Sequence, residues 1–510
     1  MGPRQIQTDR NTTFTVNHWF DNLAQVHRFQ IHSPDADHPF VRVTHNSRST
    51  CDGLIARIKE TGHRDGFTFA AKYDPCVSVF QKLQSVFKQT PKQAPNDLPS
   101  AVTLSTNFPG LSSTGQKAAA HTGPMTLCSK TDSSTMQMLN PETLEPIGIA
   151  QQSVLHPLLK GPSSAAHACH DPITGDIYNY NLEFGRNGAY HVFHVSAATG
   201  ETSILATVRH AAAYLHSLFL TDHYVILCVW NSFFTAGGAA ILWKKNFADA
   251  MKYDDSRPAT WFVIDRTPVK SGGKGLVATY ESDPFFCFHS INAYEEPSAG
   301  DPSKTDIVVD LSAYENLDVI KRFYIENMLS DSPKALAYSD PAAIAYRPAL
   351  RRFRLPQLPS KPNNTPIKAV SIFKGPNGES PELPTINNVF CTKKHRYIYG
   401  VTDTGRSTFL DGLVKHDCET RQSIFWNAPG QTPGEPIFVA DPEAEEEDGG
   451  VVLSVVLDGV AGKSYLLVLN GKDFKEVGRA NVDGVVGFGF HGTHVPEMTV
   501  KEAHTVTSRL

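Results

Sequence analysis

Turn-forming residues recur at short intervals along the chain, and this spacing constrains the fold more than any other feature of the sequence. Aspartate, proline and glycine supply side-chain turn bonds, a fixed φ and positive φ respectively, so such clusters indicate hairpin tips. The tips with this chemistry lie at residues 140–143, 171–175, 198–200, 403–405 and 458–462. The chain is therefore predicted to turn back on itself many times.

The segments between these tips read as short strands. Apolar or alternating runs occupy residues 177–182, 190–195, 451–457 and 464–469. Many short strands at hairpin spacing indicate an all-β sandwich, barrel or propeller. In a chain of 510 residues, radial repetition of blades is the natural way to avoid open sheet edges, so we predict a β-propeller. Length alone does not fix the number of domains.

Composition narrows the function classes. The chain is 40% hydrophobic and 19% charged, with a formal net charge of −5, which offers no general attraction to phosphate backbones and argues against nucleic-acid binding. Its N-terminus is polar and lacks the apolar core of a signal peptide, and eight cysteines are scattered without a paired motif. We expect a cytoplasmic protein without a disulfide framework.

Three segments show helical periodicity. Two of them, residues 240–252 and 311–329, are expected to be insertions on one face of the β scaffold. In the third, residues 77–88, Phe80, Leu83 and Phe87 share an apolar face. That face either packs on the core or lies in a membrane surface. A proline-rich stretch at 347–366 is expected to be an extended crossing loop.

Four of the 21 histidines lie in or beside apolar strand-like segments: His167, His216, His289 and His491. A neutral imidazole is a good ligand for iron(II), and four of them on a propeller axis would leave room for oxygen and substrate. Taken singly, each is better explained as an ordinary core or surface histidine. His170 and His494 lie three residues after two of them, which on a strand places them on the opposite face, so both are left out of the metal site.

Several motifs together resemble the carotenoid cleavage oxygenase family, which includes the retinal pigment epithelium isomerohydrolase and stilbene-cleaving enzymes. They are FFCFHSINAYEE at 285–296, GEPIFVADP at 434–442, DGGVVLS at 448–454 and FGFHG at 488–492. The opening segments NHWFDNLAQVHRF at 17–29 and VTHNSRST at 43–50 most resemble its fungal torulene-cleaving branch. Matches run from about residue 16 to 492, as one domain spanning 1–510.

The resemblance implies a seven-bladed β-propeller capped by loops and short helices over an axial iron(II). It also implies that His167, His216, His289 and His491 are the catalytic ligands, and that carboxylates accept the outer N–H of three of these imidazoles. Glu382 and Glu435 match two such positions and would serve His289 and His491. The third, usually glutamate, falls on Asp132, which would serve His216.

The family usually begins with a strand motif that helps to close the propeller, and this chain starts after it. Two explanations are open: the sequence is truncated at its N-terminus, or one blade lacks its N-terminal strands.

The implied activity is dioxygenase cleavage of a conjugated C=C bond in a carotenoid or apocarotenoid, such as torulene or β-carotene, by O2 and Fe(2+), giving two carbonyl products. Because such substrates partition into lipid, a peripheral membrane or lipid-droplet contact is expected. Cys76, Phe80, Leu83 and Phe87 are the candidates for it, with Cys76 a possible lipid anchor site. The alternatives are a stilbene- or phenylpropanoid-cleaving dioxygenase and a non-catalytic carotenoid-binding propeller.

Overall fold

A computed structural model describes residues 2–72, 93–100, 102–111, 126–340, 344–363 and 365–496. Six sheets of four or five strands follow one another along this part of the chain, and we number them blades 1 to 6. Neighbouring strands are antiparallel except for one parallel pair in blade 3. The strands of blade 1 are Thr103–Thr106, Leu127–Lys130, Thr135–Leu139 and Pro146–Gln151; of blade 2, Ser163–Ser164, Cys169–His170, Ile177–Glu183, Gly188–Val195 and Thr202–His210; of blade 3, Phe219–Leu220, Tyr224–Val229, Ala259–Asp265, Leu276–Ser282 and Ile367–Lys368; of blade 4, Phe286–Ser298, Asp301–Tyr314, Ala349–Leu355 and Val370–Lys374; of blade 5, Glu382–Thr385, Tyr397–Thr402, Gly412–Asp417 and Ser423–Trp426; and of blade 6, Gln431–Pro433, Ile437–Ala440, Gly450–Asp458, Lys463–Asn470 and Glu476–Val482.

The hairpin tips use the turn chemistry that the sequence predicts. Asp171 Oδ1 accepts the backbone N–H groups of Ile173 and Thr174, and Asp458 Oδ1 does the same for Val460 and Ala461. These turns join neighbouring antiparallel strands of blade 2 and of blade 6. The all-β propeller prediction is thereby confirmed.

Blades 2 to 6 share one large apolar core, and the buried apolar residues of blade 1 lie in two smaller clusters. Strand Gly188–Val195 is buried along its whole length, because it lies in the middle of blade 2 and both of its faces are covered. Trp230 and Trp261 are fully buried in the same cluster. Loops that leave this core toward the propeller axis are therefore anchored at both ends by rigid strands.

The N-terminal region adds two hairpins and one longer helix. Strands Gln25–His32 and Arg42–Ser49 pair over their full length, and Gln5–Gln7 pairs with Thr13–Thr15. Helix α1, Asp52–Thr61, follows them and ends at Gly62 with a φ of 81°. Val26 of the longer hairpin packs on Leu127 and Leu139 of blade 1, so this hairpin is seated against the propeller.

Short helices interrupt the blades between strands. They are α2 (Ala239–Lys244), α3 (Phe247–Ala250), α4 (Asp318–Arg322), α5 (Ile325–Met328) and α6 (Leu336–Ser339), together with single 3₁₀ turns at Trp19–Asp21, Pro95–Asp97, Gln152–Val154, Thr235–Gly238, Val269–Ser271, Ile344–Tyr346 and Asn388–Phe390. The predicted helical insertions at 240–252 and 311–329 are thus found in part, as broken pairs of short helices. Residues Met251–Lys252 form instead a short strand that pairs with Phe233–Phe234. Residues 311–314 belong instead to the strand Asp301–Tyr314.

The prediction of an extended loop for the proline-rich residues 347–366 is wrong for part of that stretch. Ala349–Leu355 is a strand that pairs with Asp301–Tyr314 on one side and Val370–Lys374 on the other. Its prolines, Pro348 and Pro356, flank the strand and remove no ladder hydrogen bond from it.

In the part of the chain that the structure describes, no helix is long and apolar enough to cross a membrane. The amphipathic segment with Cys76, Phe80, Leu83 and Phe87 lies outside the described residues.

Candidate metal centre

Four histidines that are far apart in sequence meet at one point. One ring nitrogen from each of His167, His216, His289 and His491 lies within 4.8 Å of all the others. His491 Nε2 is 3.0 Å from His167 Nε2 and 3.2 Å from His289 Nε2. The structure thus brings together the four side chains that the sequence singled out. His170 and His494 are not in this group of the described residues.

Each histidine is delivered by a different part of the propeller. His167 lies between the first two strands of blade 2, His216 precedes the first strand of blade 3, and His289 lies within the first strand of blade 4. His491 follows the last strand of blade 6. The backbone N–H of His167 donates to the carbonyl of His216 at 3.2 Å, which ties blades 2 and 3 together beside the site.

Three carboxylates hold the outer nitrogens of three of these imidazoles. Their distances to Nδ1 are 2.7 and 2.9 Å from Asp132 to His216, 2.5 Å from Glu382 to His289, and 2.7 Å from Glu435 to His491. These are the three pairings that the family resemblance implied. Asp132 lies between two strands of blade 1, Glu382 lies in the first strand of blade 5, and Glu435 lies between the first two strands of blade 6.

The carboxylates also decide which nitrogen carries the proton. A carboxylate at Nδ1 favours the tautomer with hydrogen on Nδ1, so that Nε2 presents a lone pair. Lone pairs that converge without a donor repel one another, and a cation at their centre removes that repulsion. The donor set therefore fits a metal ion that accepts imidazole nitrogen, such as iron(II).

Burial shifts the pKa values of three groups at the site. Burial lowers the pKa of His167 and of His289 well below the usual range, with neighbouring histidines adding to the effect. Both rings are therefore neutral and free to act as ligands. Burial raises the pKa of Glu382 to about 8, and a cation on the four nitrogens would oppose that rise.

A cavity of about 2070 Å³ reaches the four-histidine group. Among the aromatic residues that line it, six form a wall: Trp19, Phe20, Phe69, Phe288, Phe323 and Phe490. They form one continuous set of ring contacts, in which Trp19 stacks on Phe490 at 4.5 Å and Phe20 meets Phe69 at 4.8 Å between ring centroids. This wall presents an apolar surface beside the histidines.

Sequence reasoning did not identify this wall. Trp19 and Phe20 lie in the NHWFDN motif, which the sequence offered only as a family likeness. Asp21 of that motif accepts the backbone N–H groups of Phe69 and Ala70 at 2.7 and 2.8 Å, so one short segment sets two sides of the cavity. Only the motif could have pointed to these residues.

The chain is similar to known proteins over most of its length. Residues 1–496 match the family model described as retinal pigment epithelial membrane protein. A carotenoid dioxygenase of Neurospora crassa is 41% identical, covering 97% of this chain and 85% of its own. A torulene dioxygenase of Fusarium fujikuroi is 40% identical, covering 97% and 88%.

The fold agrees with solved structures. Cobalt-substituted Synechocystis apocarotenoid oxygenase superposes with a TM-score of 0.68 at 17% identity, covering 95% of this chain and 89% of that one. The family predicted from the motifs is confirmed: the chain belongs to the retinal pigment epithelial membrane protein family of carotenoid oxygenases, among relatives that are dioxygenases.

Proposed function

We propose that this protein is a non-haem iron(II) dioxygenase that cleaves one conjugated C=C bond of a carotenoid or apocarotenoid with O2 to give two carbonyl products. The observation that carries the proposal is the meeting of four histidines, three of them held by carboxylates, at the wall of an aromatic cavity. His167, His216, His289 and His491 would hold the iron, which would supply the activation of oxygen.

The chain's own residues account for the rest of the chemistry. Asp132, Glu382 and Glu435 aim three imidazoles at one point. The aromatic wall binds the polyene by apolar contact and stacking, and it keeps water away from the reacting bond. A hydrocarbon offers few hydrogen-bonding groups, so the shape of the cavity would select the bond that is cleaved.

A torulene- or β-carotene-like substrate is the one we favour. Support comes from the Fusarium fujikuroi relative, which is named a torulene dioxygenase and is 40% identical across 97% of this chain. Cleavage of a stilbene or phenylpropanoid, and carotenoid binding without catalysis, are the outcomes that would replace it.

The propeller would have seven blades, with the hairpin Gln25–Ser49 as the incomplete one. The hairpin packs on blade 1 through Val26, and its strand Arg42–Ser49 contacts the last strand of blade 6. It would therefore lie between the first and last blades.

The polyene would enter from a membrane or lipid-droplet surface. Phe67 and Trp243 at the cavity are 44% and 50% exposed, which suits contact with lipid. The segment with Cys76, Phe80, Leu83 and Phe87 would contribute further apolar contact. Liposome sedimentation would decrease when Phe80 and Phe87 are changed to serine; unchanged sedimentation would exclude that segment.

Anaerobic reconstitution with iron(II), followed by oxygen and a panel of carotenoids and stilbenes, tests the activity. We expect aldehyde products from polyenes with the parent protein and none with His289→Ala. Products from stilbenes alone would select the second substrate class. Metal binding without any product would indicate a binding protein.

A further inference from the structure

The hydroxyl of Tyr214 lies beside the Asp132–His216 pair. Tyr214 Oη donates to Asp132 Oδ2 at 2.8 Å and is 3.2 Å from His216 Nδ1. Tyr214 is 3% exposed and lines the cavity next to His216. None of the sequence motifs pointed to this residue, since its only signal is a position two residues before the histidine.

The backbone of Tyr214 is held in place independently of the metal centre. Its carbonyl accepts Trp230 Nε1–H at 3.0 Å and Ser232 Oγ–H at 2.6 Å, and its N–H donates to the Ser232 carbonyl at 3.0 Å. Trp230 and Ser232 are fully buried. The phenol is therefore carried by a rigid part of blade 3.

The orientation of Asp132 depends on what its two oxygens accept. Oδ1 accepts the Ala166 N–H at 3.2 Å, and both oxygens reach His216 Nδ1. The one further donor to Oδ2 found among the described residues is the Tyr214 hydroxyl. Without it, Oδ2 would keep only its contact with His216 Nδ1, the carboxylate would be held mainly through Oδ1, and its hold on His216 would loosen.

In the Glu435–His491 pair, a backbone N–H fixes the carboxylate instead of a tyrosine hydroxyl. Glu435 Oε1 accepts His491 Nδ1, and Glu435 Oε2 accepts the N–H of Gly492 at 2.7 Å. In both pairs the carboxylate that holds the imidazole also accepts a hydrogen bond from a second donor on its other side: Gly492 N–H at Glu435 Oε2 and the Tyr214 hydroxyl at Asp132 Oδ2. At Asp132 that donor is a tyrosine side chain, so a single substitution can remove it.

We propose that Tyr214 is a positioning residue of the metal centre, which locks the Asp132 carboxylate so that His216 presents Nε2 to the metal. The inference rests on the proposed function. Tyr214 acts through Asp132 and His216 rather than on substrate, so its removal should weaken metal binding before any reaction takes place.

The test measures cobalt(II) affinity of the metal-free full-length protein by competition with a chelator, together with the visible spectrum of the bound cobalt. Tyr214→Phe keeps the ring and removes only the hydroxyl. We expect a loss of affinity of roughly tenfold, the lower end of the range for removing a direct partner of a ligand histidine, and a shifted cobalt spectrum.

Tyr190→Phe is the matched control. Tyr190 is fully buried in blade 2, and its hydroxyl donates to the Ala211 carbonyl at 2.9 Å and accepts the Ala213 N–H at 2.8 Å. The Tyr190→Phe variant loses a buried hydroxyl that contacts no carboxylate. Its cobalt affinity and the spectrum of its bound cobalt should therefore match those of the parent protein.

A double-mutant cycle with Asp132→Asn decides whether Tyr214 acts through that carboxylate. We expect Tyr214→Phe to cost little further affinity once Asp132 is changed. Parent-like affinity of Tyr214→Phe, an equal loss in Tyr190→Phe, or additive effects in the cycle would overturn the inference alone. A parent protein that binds no divalent metal would overturn the proposed function as well.

Discussion

At the scale of single residues, three carboxylate–imidazole pairs matter most. Each one fixes both the orientation and the tautomer of a candidate ligand histidine. The shorter Asp132 meets His216 with both oxygens, while Glu382 and Glu435 each use one. Asp132 is one methylene shorter than a glutamate, and it can still hold the imidazole ring of His216 in the same way.

Glu435→Gln should lower metal affinity by about 10–100-fold, the usual effect of removing a partner of a ligand histidine. A glutamine can still accept a hydrogen bond but lacks the charge. The measurement is cobalt(II) or iron(II) titration of the metal-free protein. Glu295→Gln is the control, since Glu295 holds His223 in another carboxylate–histidine pair at 3.0 Å outside the four-histidine group. Equal losses in both variants would contradict the assignment.

His18 should make the protein sensitive to acid. Its Nε2 bonds to the Ile320 carbonyl at 2.8 Å, its Nδ1 accepts the Phe20 N–H, and burial lowers its pKa to about 4. Between pH 6.5 and 4, His18 therefore binds a proton in the unfolded chain but stays neutral in the folded protein. The free energy of unfolding should fall as pH falls across this window, by about 3 kcal/mol in total from this group.

His18→Gln removes the titration and keeps a donor and an acceptor. Denaturant unfolding at several pH values should show a shallower fall for this variant than for the parent. His63→Gln, at an exposed position, should keep the parent's dependence. A parallel dependence in parent and His18→Gln would show that His18 does not contribute.

At the scale of elements, the hairpin Gln25–Ser49 depends on blade 1. Leu139 is fully buried between blade 1 and Val26 of the hairpin. Leu139→Ala should cost about 2–5 kcal/mol of unfolding free energy, as for other buried leucines. Hydrogen exchange should show the largest loss of protection in the hairpin and blade 1.

Ile147→Ala is the control that tests whether the destabilisation by Leu139→Ala comes from the loss of buried packing. Ile147 lies in the next strand of blade 1 and is 60% exposed, so its truncation should change stability by less than about 0.5 kcal/mol. If Leu139→Ala left hairpin protection unchanged, the hairpin would be held by other contacts.

Strands were easier to predict than helices at this scale, for a physical reason. Segments such as Ile177–Glu183 are bounded by Asx turns that act locally, so sequence is sufficient there. Residues 311–314 carry an apolar run that suits either a helix or a strand. Pairing with Ala349–Leu355, about 40 residues further on, decides for the strand.

For the whole molecule, a metal ion would join blades 2, 3 and 4 to the segment after blade 6. A ligand that binds only the folded state stabilises it, by about 2.7 kcal/mol at a hundred times its Kd. Cobalt(II) or iron(II) should therefore raise the Tm of the parent measured at one scan rate. His289→Ala should show no such rise; an equal rise in that variant would place the ion elsewhere.

The sequence by itself determined the family and the all-β propeller, because motifs and turn residues are local signals. Through the family resemblance it also pointed to four histidines and three carboxylates. Only the tertiary structure decided that the four nitrogens meet within 4.8 Å, that Tyr214 reaches Asp132, and that Trp19 and Phe490 form one wall. These contacts join residues up to several hundred positions apart, and their distances follow from how the blades pack around one axis.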